Sequence, residues 1–453
     1  MCFQKRQDRF RMGFDMDWMW ALLLMLGLLT LLMASGLPIA FAFAAVNIVG
    51  AIIFLGGEAG LDQLIRNSVA ALTSFTLAPI ALFLLMGEIL FHTGVAFKAI
   101  DAIDKMITRI PGRLSIVSVI GGTIFSSLSG STIANTAILG SVLLPDMLKR
   151  GYHPSIAMGP IMATGGIAML IPPSALAVLL GSLANISISK LLIAGILPGL
   201  LMSLLFLAYV IIRCGVNPNL APSYDVVALS WPERFRPFLI YVVPLFGIFV
   251  VVVGSILMGI ATPTESAALG CLASVVAVVL YGEFRWKDML KAVQATTQIS
   301  VMILFIIGAS ITFSQILSFS GATTGLLELI GTLELSSMEI ILGMLLILLF
   351  LGAFMDQVSM VMITVPFFIP LAQTQGFDLL WLGVMMLIVM EISLTTPPFG
   401  LLLYVMKGVA PSETTLSQIY LAAAPFILLE LAVLLLVVLF PLFATGLPSI
   451  LTR

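Results

Sequence analysis

The sequence predicts an all-α polytopic membrane protein made of two inverted repeats, each holding a re-entrant helical hairpin and a helix broken at a proline pair. Three observations lead there. The first is composition: of 453 residues 60% are hydrophobic and 9% charged, with a mean hydropathy of +1.19, which excludes a soluble globular domain. The second is a pair of breaks inside apolar sequence. Ser126, Ser127, Ser129, Ser131, Thr132 and Asn135 crowd one apolar run, and Pro172-Pro173 interrupts the next. In hydrocarbon every backbone N–H and C=O needs a partner, so such breaks are tolerated only where they are buried in protein or line a cavity. The third is recurrence. Displaced by 225 residues, Pro38 falls on Pro263, Pro145 on Pro370, Pro172 on Pro397 and Pro173 on Pro398, while Ser131 falls on Asp356. Chance would align roughly half of one proline pair.

Taken in order, residues 1–17 form a basic tail with Lys5, Arg6, Arg9 and Arg11. Trp18 to Leu55, interrupted at Gly36-Leu37-Pro38, is long enough for two crossings of roughly 18 residues. Ser68 to Phe91 reads as a further crossing. Over residues 95–110, Ile100, Ile103, Met106, Ile107 and Ile110 share one side, and Lys98, Asp101, Asp104, Lys105 and Arg109 the other. That pattern predicts an arm helix lying in the membrane interface. The polar hairpin follows at 114–145, then a helix from Ser155 to Gly181 broken at 172–173, and a crossing from Leu191 to Ile212. This closes a first repeat, 18–213. Residues 214–237 read as the linker, and 238–453 as the second repeat. In that repeat crossings are expected at Phe238–Met258, Thr264–Tyr281, Thr296–Ser318, Trp381–Tyr404 and Tyr420–Phe443, with an arm at 321–339, a hairpin at 340–374 and a broken helix at 397–398.

Charge sets the orientation. The first arm is basic, whereas its counterpart carries Glu328, Glu334 and Glu339 and no Lys or Arg. The positive-inside rule therefore puts the first in the cytoplasm and the second outside, which inverts the halves. The same threading puts Lys149, Arg150, Arg213, Arg234, Arg236, Arg285, Lys287, Lys291 and Lys407 in the cytoplasm. It puts Lys5 and Arg6 outside, against the rule, unless Trp18–Leu55 crosses once or Met16 is the functional start.

Several function classes drop out. A net charge of −2 gives no support for nucleic-acid binding, and Cys2, Cys214 and Cys271 form no CxxC pair. With His92 and His153 the only histidines, a histidine metal centre is not expected. An intramembrane hydrolase is disfavoured, because no nucleophile has a base at helical spacing. What remains is a cavity made by two hairpin tips and two broken helices. Its carbonyls and hydroxyls suit a small cation such as sodium, and its half-helix N-termini suit an anion. Asp356 is the strongest candidate for an intramembrane charge with a role. Glu88, Glu265 and Glu391 read equally as interfacial or packing residues. A single serine or threonine in such helices also has a purely structural use, bonding back to its own helix.

The segments SSLSGSTIANTAILGSVLLPDMLKRGY, GGIAMLIPPS, KLLIAGILPGLL, GIATPTESAALG and TTPPFG resemble the large membrane subunit, DctM type, of tripartite ATP-independent periplasmic (TRAP) transporters, from about Gly36 to the C-terminal crossing. The resemblance implies a multi-pass subunit of the bacterial inner membrane, a secondary transporter rather than an enzyme, working as an elevator and related in build to the ion transporter superfamily. It implies two partners, a small four-helix membrane subunit and a periplasmic solute-binding protein. It also implies a sodium gradient as the driving force, a small organic anion (commonly a carboxylate) as solute, and no cofactor besides Na+. By position, one family sodium site falls on Ser126 and Ser129 with the backbone at Ala168, Ile171 and Pro172. The other falls on Gly352, Ser393, Thr396 and Phe399. Ser131, Thr132, Asn135, Asp356, Gln357, Pro173 and Pro398 are the substrate-cavity candidates. Ala168 and Ser393 stand where the family commonly has glycine, and Asn135 where many relatives have Asp. A stand-alone sodium/dicarboxylate-type symporter or exchanger, needing no binding protein, is the alternative.

Overall fold

The computed structural model describes residues 17–107, 110–222 and 230–451, and among them every regular element is helical. The basic tail before Asp17, Arg109 and residues 223–229 of the expected linker lie outside these. Helices α1 (Trp18–Ala34) and α2 (Ile39–Phe54) fill the first apolar stretch as two elements. The crossing expected from Ser68 to Phe91 is instead the end of α3 (Glu58–Leu72), a 3-10 turn at Phe75–Leu77, and α4 (Ala78–His92). Pro79 is the cause: it lacks an N–H and its ring would clash inside one continuous helix, but it fits the first turn of a new one.

The arm, α5 (Val95–Met106), buries Ile100 and Ile103 as the pattern requires, but Ile107 is already extended. Ile110 precedes Pro111, and a residue before proline avoids the helical region. The first hairpin is α6 (Arg113–Ser129) and α7 (Thr132–Lys149), wider than expected. The broken helix is α8 (Pro154–Gly166), a 3-10 turn at Ile167–Met169, and α9 (Ala175–Leu183). Helix α10 (Ile188–Val216) outruns its predicted end. The linker is narrower than 214–237, because a capping box between Ser230 and Glu233 starts α11 (Trp231–Pro237), which passes through a π turn at Phe238–Val242 into α12 (Val243–Leu257).

Helices α13 (Pro263–Leu280), α14 (Trp286–Phe319) and α15 (Ala322–Thr332) come next. The second arm stops at Thr332, and the second hairpin opens at Ser337, since Ser336 and Glu339 cap each other. That hairpin is α16 (Ser337–Gly352) and α17 (Gln357–Thr374). The second broken helix is α18 (Leu379–Thr395) and α19 (Leu401–Val409), followed by α20 (Leu416–Leu439) and α21 (Leu442–Leu451). Seven of the described helical segments are long and apolar enough to cross a membrane.

Element bounds carry the 225-residue period. Displaced by it, α7 falls on 357–374, the bounds of α17, and α8 falls on 379–391, inside α18. Turn glycines agree: Gly57 (φ 67°) falls on Gly282 (φ 70°), and Gly151 (φ 80°) on Gly376 (φ 71°). These left-handed turns strain any residue with a Cβ.

The chain forms two compact units. One takes the described residues up to Phe75, with Gln298–Met344 and Val361–Phe377. Its interior joins Phe43 to Phe313 edge-on at 5.0 Å and buries a polar seam, in which Asn47 donates to Ala309 O (2.6 Å) and Asn67 to Thr312 Oγ1 and Gln315 Oε1 (3.0 and 2.8 Å).

The other unit takes Thr76–Thr297, Leu345–Met360 and Asp378–Arg453, and holds both hairpin tips and both proline pairs. Close packing is bought with glycine. A Cβ on Gly195 of α10 would stand 2.3 Å from Leu170 O at the first break, and one on Gly159 of α8 would stand 2.5 Å from Ala422 O. The arm is pinned outside this core, with Lys98 Nζ 2.5 Å from Glu283 Oε1 and 5.5 Å from the centre of the Tyr241 ring.

Two outcomes follow. Gly195→Ala forces a backbone carbonyl to move and is expected to cost about 1–3 kcal/mol, read as a lower midpoint of thermal unfolding in detergent; an unchanged midpoint contradicts the packing. The hydrogen bond from Lys98, then its charge, lowers the Glu283 carboxyl below its ordinary 4.5, and the same bond raises Lys98 above 10.5. The carboxylate's contribution is therefore present above about pH 4.5 and lost as pH falls through its lowered folded value; the ammonium's is present below about 10.5 and lost as pH rises through its raised one. Glu283→Gln should loosen α5 at neutral pH by less than about 1 kcal/mol, seen as faster amide exchange. Unaltered exchange there would count against the anchor.

Candidate functional site

Each hairpin tip sits on the break of its own half. At the first tip, Ser129 ends α6, Gly130 turns at φ 56°, and Ser131 caps α7 by accepting from the Ala134 N–H (3.3 Å). A Cβ on Gly130 would stand 3.1 Å from Pro173 O, which puts the tip against the first proline pair. From the other side α4 closes in, since a Cβ on Gly87 would lie 2.1 Å from Ser129 O. Ala168, Ile171, Pro172 and Pro173 are buried here, and Ser174 closes the turn by donating to Met169 O (2.7 Å) and accepting from the Ala177 N–H (3.1 Å). Thr132 is half-buried beside them.

Beneath that tip lies a polar knot. Ser126 Oγ donates to Thr164 O (2.8 Å), and Asn135 Nδ2 donates to Ser126 Oγ (2.5 Å), Gly122 O (3.2 Å) and Thr164 O (3.2 Å). Asn135 thus ties α6, α7 and α8 together and is fully buried. An aspartate at 135, once ionised, would have no hydrogen to donate and would face two carbonyls and a hydroxyl.

The second tip repeats the contact with other chemistry. A Cβ on Gly352 would stand 2.2 Å from Ser393 Cβ, so glycine at 352 makes the room that a side chain at 393 occupies. Ser393 Oγ donates to Met390 O (2.6 Å) and Thr396 Oγ1 to Ile392 O (2.7 Å). Both hydroxyls spend their proton on their own helix, and keep lone pairs for a further partner. Asp356 is half-buried at the tip and caps α17, accepting from the N–H groups of Val358 (3.0 Å) and Ser359 (3.3 Å) and from the Ser359 hydroxyl. It holds the place that Ser131 holds on α7. Gln357 is buried as the first residue of α17. Pro398 O accepts from the hydroxyls of Tyr404 (3.2 Å) and Tyr420 (3.0 Å), while the Phe399 ring, 56% exposed, meets Phe354 at 6.2 Å.

The two broken helices meet at Gly165-Gly166. A Cβ on Gly165 would press on Thr136 and on Leu402 of α19 (3.3 Å to Cδ1), and one on Gly166 would meet Glu391 Cγ of α18 at 2.7 Å. The sites expected on Ser126/Ala168 and on Gly352/Ser393 therefore belong to one packed unit. Tyr404, Tyr420, Thr164 and Glu430 were not foreseen. Nothing in their spacing places the tyrosines on Pro398 O, but a glutamate inside the apolar run of α20 was itself a signal. Glu265 caps α13 through Thr262, and Glu88 lies 3.2 Å from His92 on α4. Among the described residues no cluster of three His, Cys, Asp or Glu suited to a metal ion occurs.

A family model described as "Tripartite ATP-independent periplasmic transporter, DctM component" matches residues 26–443. The chain belongs to the DctM family. Relatives include a C4-dicarboxylate TRAP transporter large permease of Pseudomonas aeruginosa, 32% identical over 83% of this chain and 86% of that one. An ectoine TRAP transporter large permease of Halomonas elongata is 29% identical over 92% and 95%. Among solved structures the Alcanivorax borkumensis YdaH transporter shares the fold, at a TM-score of 0.61 over 87% of this chain and 91% of that one, with 16% identity. This DctM-family chain is thus a multi-pass inner-membrane protein and one component of a tripartite transporter, not an enzyme.

Asn135→Asp is expected to unfasten the first hairpin, costing about 1–3 kcal/mol for the buried acceptors left without a donor, and to lower uptake with it. Parental unfolding and parental uptake together would show that the amide does not hold the knot.

Proposed function

We propose that this large permease carries out sodium-coupled uptake of a small organic anion by an elevator mechanism. A periplasmic binding protein delivers the solute, and a small four-helix membrane subunit braces the scaffold. In this reading the hairpins and broken helices are the moving body, and the two halves are inverted repeats. The observation that carries it is the paired arrangement of tip and break: in each half a glycine lets a hairpin tip close on a proline-broken helix, and serine or threonine oxygens line that contact. Hydroxyl and carbonyl oxygens are hard donors for a small cation, and the half-helices α9 and α19 start at the breaks with their positive dipole ends.

Ser126 and Ser129 with the carbonyls at Ala168, Ile171 and Pro172 form one proposed sodium site. Gly352, Ser393, Thr396 and Phe399 form the other. Solute would lie between the tips, near Ser131, Thr132, Asp356, Gln357, Pro173 and Pro398. The 225-residue period of element bounds supports the repeat, and the family supports the two partners. Relatives named for C4-dicarboxylates and for ectoine point to carboxylate-bearing solutes.

Removing one oxygen from a cation site should weaken sodium binding. In proteoliposomes with all three components, Ser126→Ala and Thr396→Val are each expected to raise the sodium concentration for half-maximal uptake about tenfold or more, as for a lost contact to a charged group of ~1.5–3 kcal/mol. If both variants keep the parent's sodium dependence, the site assignment fails. Full uptake without a binding protein would remove the tripartite reading in favour of a stand-alone symporter.

A further inference from the structure

One end of the second unit gathers basic and aromatic side chains that take no part in either tip. The apolar segments Trp231–Leu257, Pro263–Leu280 and Trp286–Phe319 follow one another in the chain. Consecutive spans cross in alternate directions, so the start of the first, the end of the second and the start of the third share one membrane face. Side chains agree. The Tyr281 hydroxyl, just past α13, donates to Ile240 O in the π turn between α11 and α12 (2.7 Å), and the rings of Tyr241 and Tyr281 lie 5.2 Å apart. Arg236 precedes Ile240 by about one helical turn, and Arg285 and Lys287 follow the turn at Tyr281-Gly282. That hydrogen bond therefore joins two basic segments.

The acids of residues 231–237 and 281–291 are already engaged. Glu233 accepts from the Ser230 N–H and hydroxyl (2.8 and 2.7 Å), Glu283 pairs with Lys98 (2.5 Å), and Asp288 with Lys291 (3.2 Å). Arg234, Arg236, Arg285 and Lys287 have no ion-pair partner among the described residues. Three of these are exposed. Arg234 is half-buried, and its Nε is shut away from solvent with no hydrogen-bond partner among the described residues. A donor in that position calls for an acceptor from outside the chain. Exposed rings flank the charges: Trp231, 71% exposed, stacks on Phe235 at 4.9 Å, and Trp286, 74% exposed, lies 6.3 Å from Phe284.

Tryptophan at the end of a span sits where headgroups meet acyl chains, while Lys and Arg reach past it to the phosphates. A phosphodiester offers what is missing here, negative charge and oxygens that a guanidinium fork can hold. Basic pockets between span ends suit anionic lipid headgroups for this reason. We propose that the face running from α11 to the start of α14 binds an anionic phospholipid headgroup of the cytoplasmic leaflet, the side on which the positive-inside rule puts these residues. Arg234 Nε finds its acceptor there, and Trp231 and Trp286 lie along the acyl chains. Glu283 belongs to the same junction and anchors α5 through Lys98, so a lipid bound here holds the root of the arm at the membrane surface.

Native mass spectrometry of the full-length permease in detergent tests this, with phosphatidylglycerol as probe and zwitterionic phosphatidylcholine of the same acyl chains as reference. The parent should bind phosphatidylglycerol more tightly, by a margin that shrinks as salt rises. Arg234→Gln, and separately Arg285→Gln with Lys287→Gln, should each cut that preference about fivefold or more, at roughly fivefold for each charge removed. Arg285 and Lys287 are exposed, so their variant leaves the packed interior untouched. Lys190→Gln, an equal charge change in the exposed first turn of α10, should leave the preference as it is. Equal binding of both lipids by the parent, an undiminished preference in either patch variant, or an equal loss in Lys190→Gln overturns the proposal. Displacement of phosphatidylglycerol by inorganic phosphate at matched ionic strength also overturns it, because the face then holds a free anion. So does loss of the preference once the small membrane subunit is bound, because a protein then covers the face. The readout needs no solute and no sodium, so it stands whatever becomes of the transport reading.

Discussion

The demand that every backbone polar group find a partner away from water governs this molecule. A continuous helix meets it at no cost to the rest of the protein. At Pro172-Pro173 and Pro397-Pro398 no continuous helix is possible, so other groups must stand in. Ser174 takes Met169 O at the first break, and Tyr404 and Tyr420 share Pro398 O at the second. The tips are managed likewise, with Ser131 and Asp356 satisfying the opening N–H groups of α7 and α17. Polar side chains at the centre of the second unit are thus first of all structural. Their capacity to hold ions rests on lone pairs left over once that duty is met.

Glycine makes the arrangement compact. Carbonyl oxygens at Ser129 and Leu170 are approached by Gly87 and Gly195 so closely that a single methyl group would displace backbone rather than a flexible side chain. Within a bilayer, where apolar burial gains little over lipid, close backbone approach is a main source of helix–helix attraction. It also removes slack. A tip held this way cannot drift from its break, so the oxygens on either side of that contact stay in register.

The two halves meet the same constraint with different residues. Ser131 becomes Asp356, Asn135 of the first knot falls on Met360, whose sulfur accepts from Ser393 Oγ (3.7 Å), and Ser393 is accommodated by Gly352. Matching element bounds with divergent side chains give two chemically distinct tips. The proposed sodium sites use that difference.

The membrane class, the two hairpins, the proline breaks and the 225-residue period were legible in the sequence, because hydropathy, proline and glycine act locally and leave marks at fixed spacing. Helix starts were legible where a cap was written out, as at Ser230/Glu233 and Ser336/Glu339, although the linker and the second hairpin were placed by composition instead. The sequence alone could not say that Asn135 donates into two other helices, or that Tyr404 and Tyr420 converge on one carbonyl. Those are meetings of distant helices. Only the packing of glycine faces decides them, since side-chain spacing along one helix carries no record of which other helix lies against it.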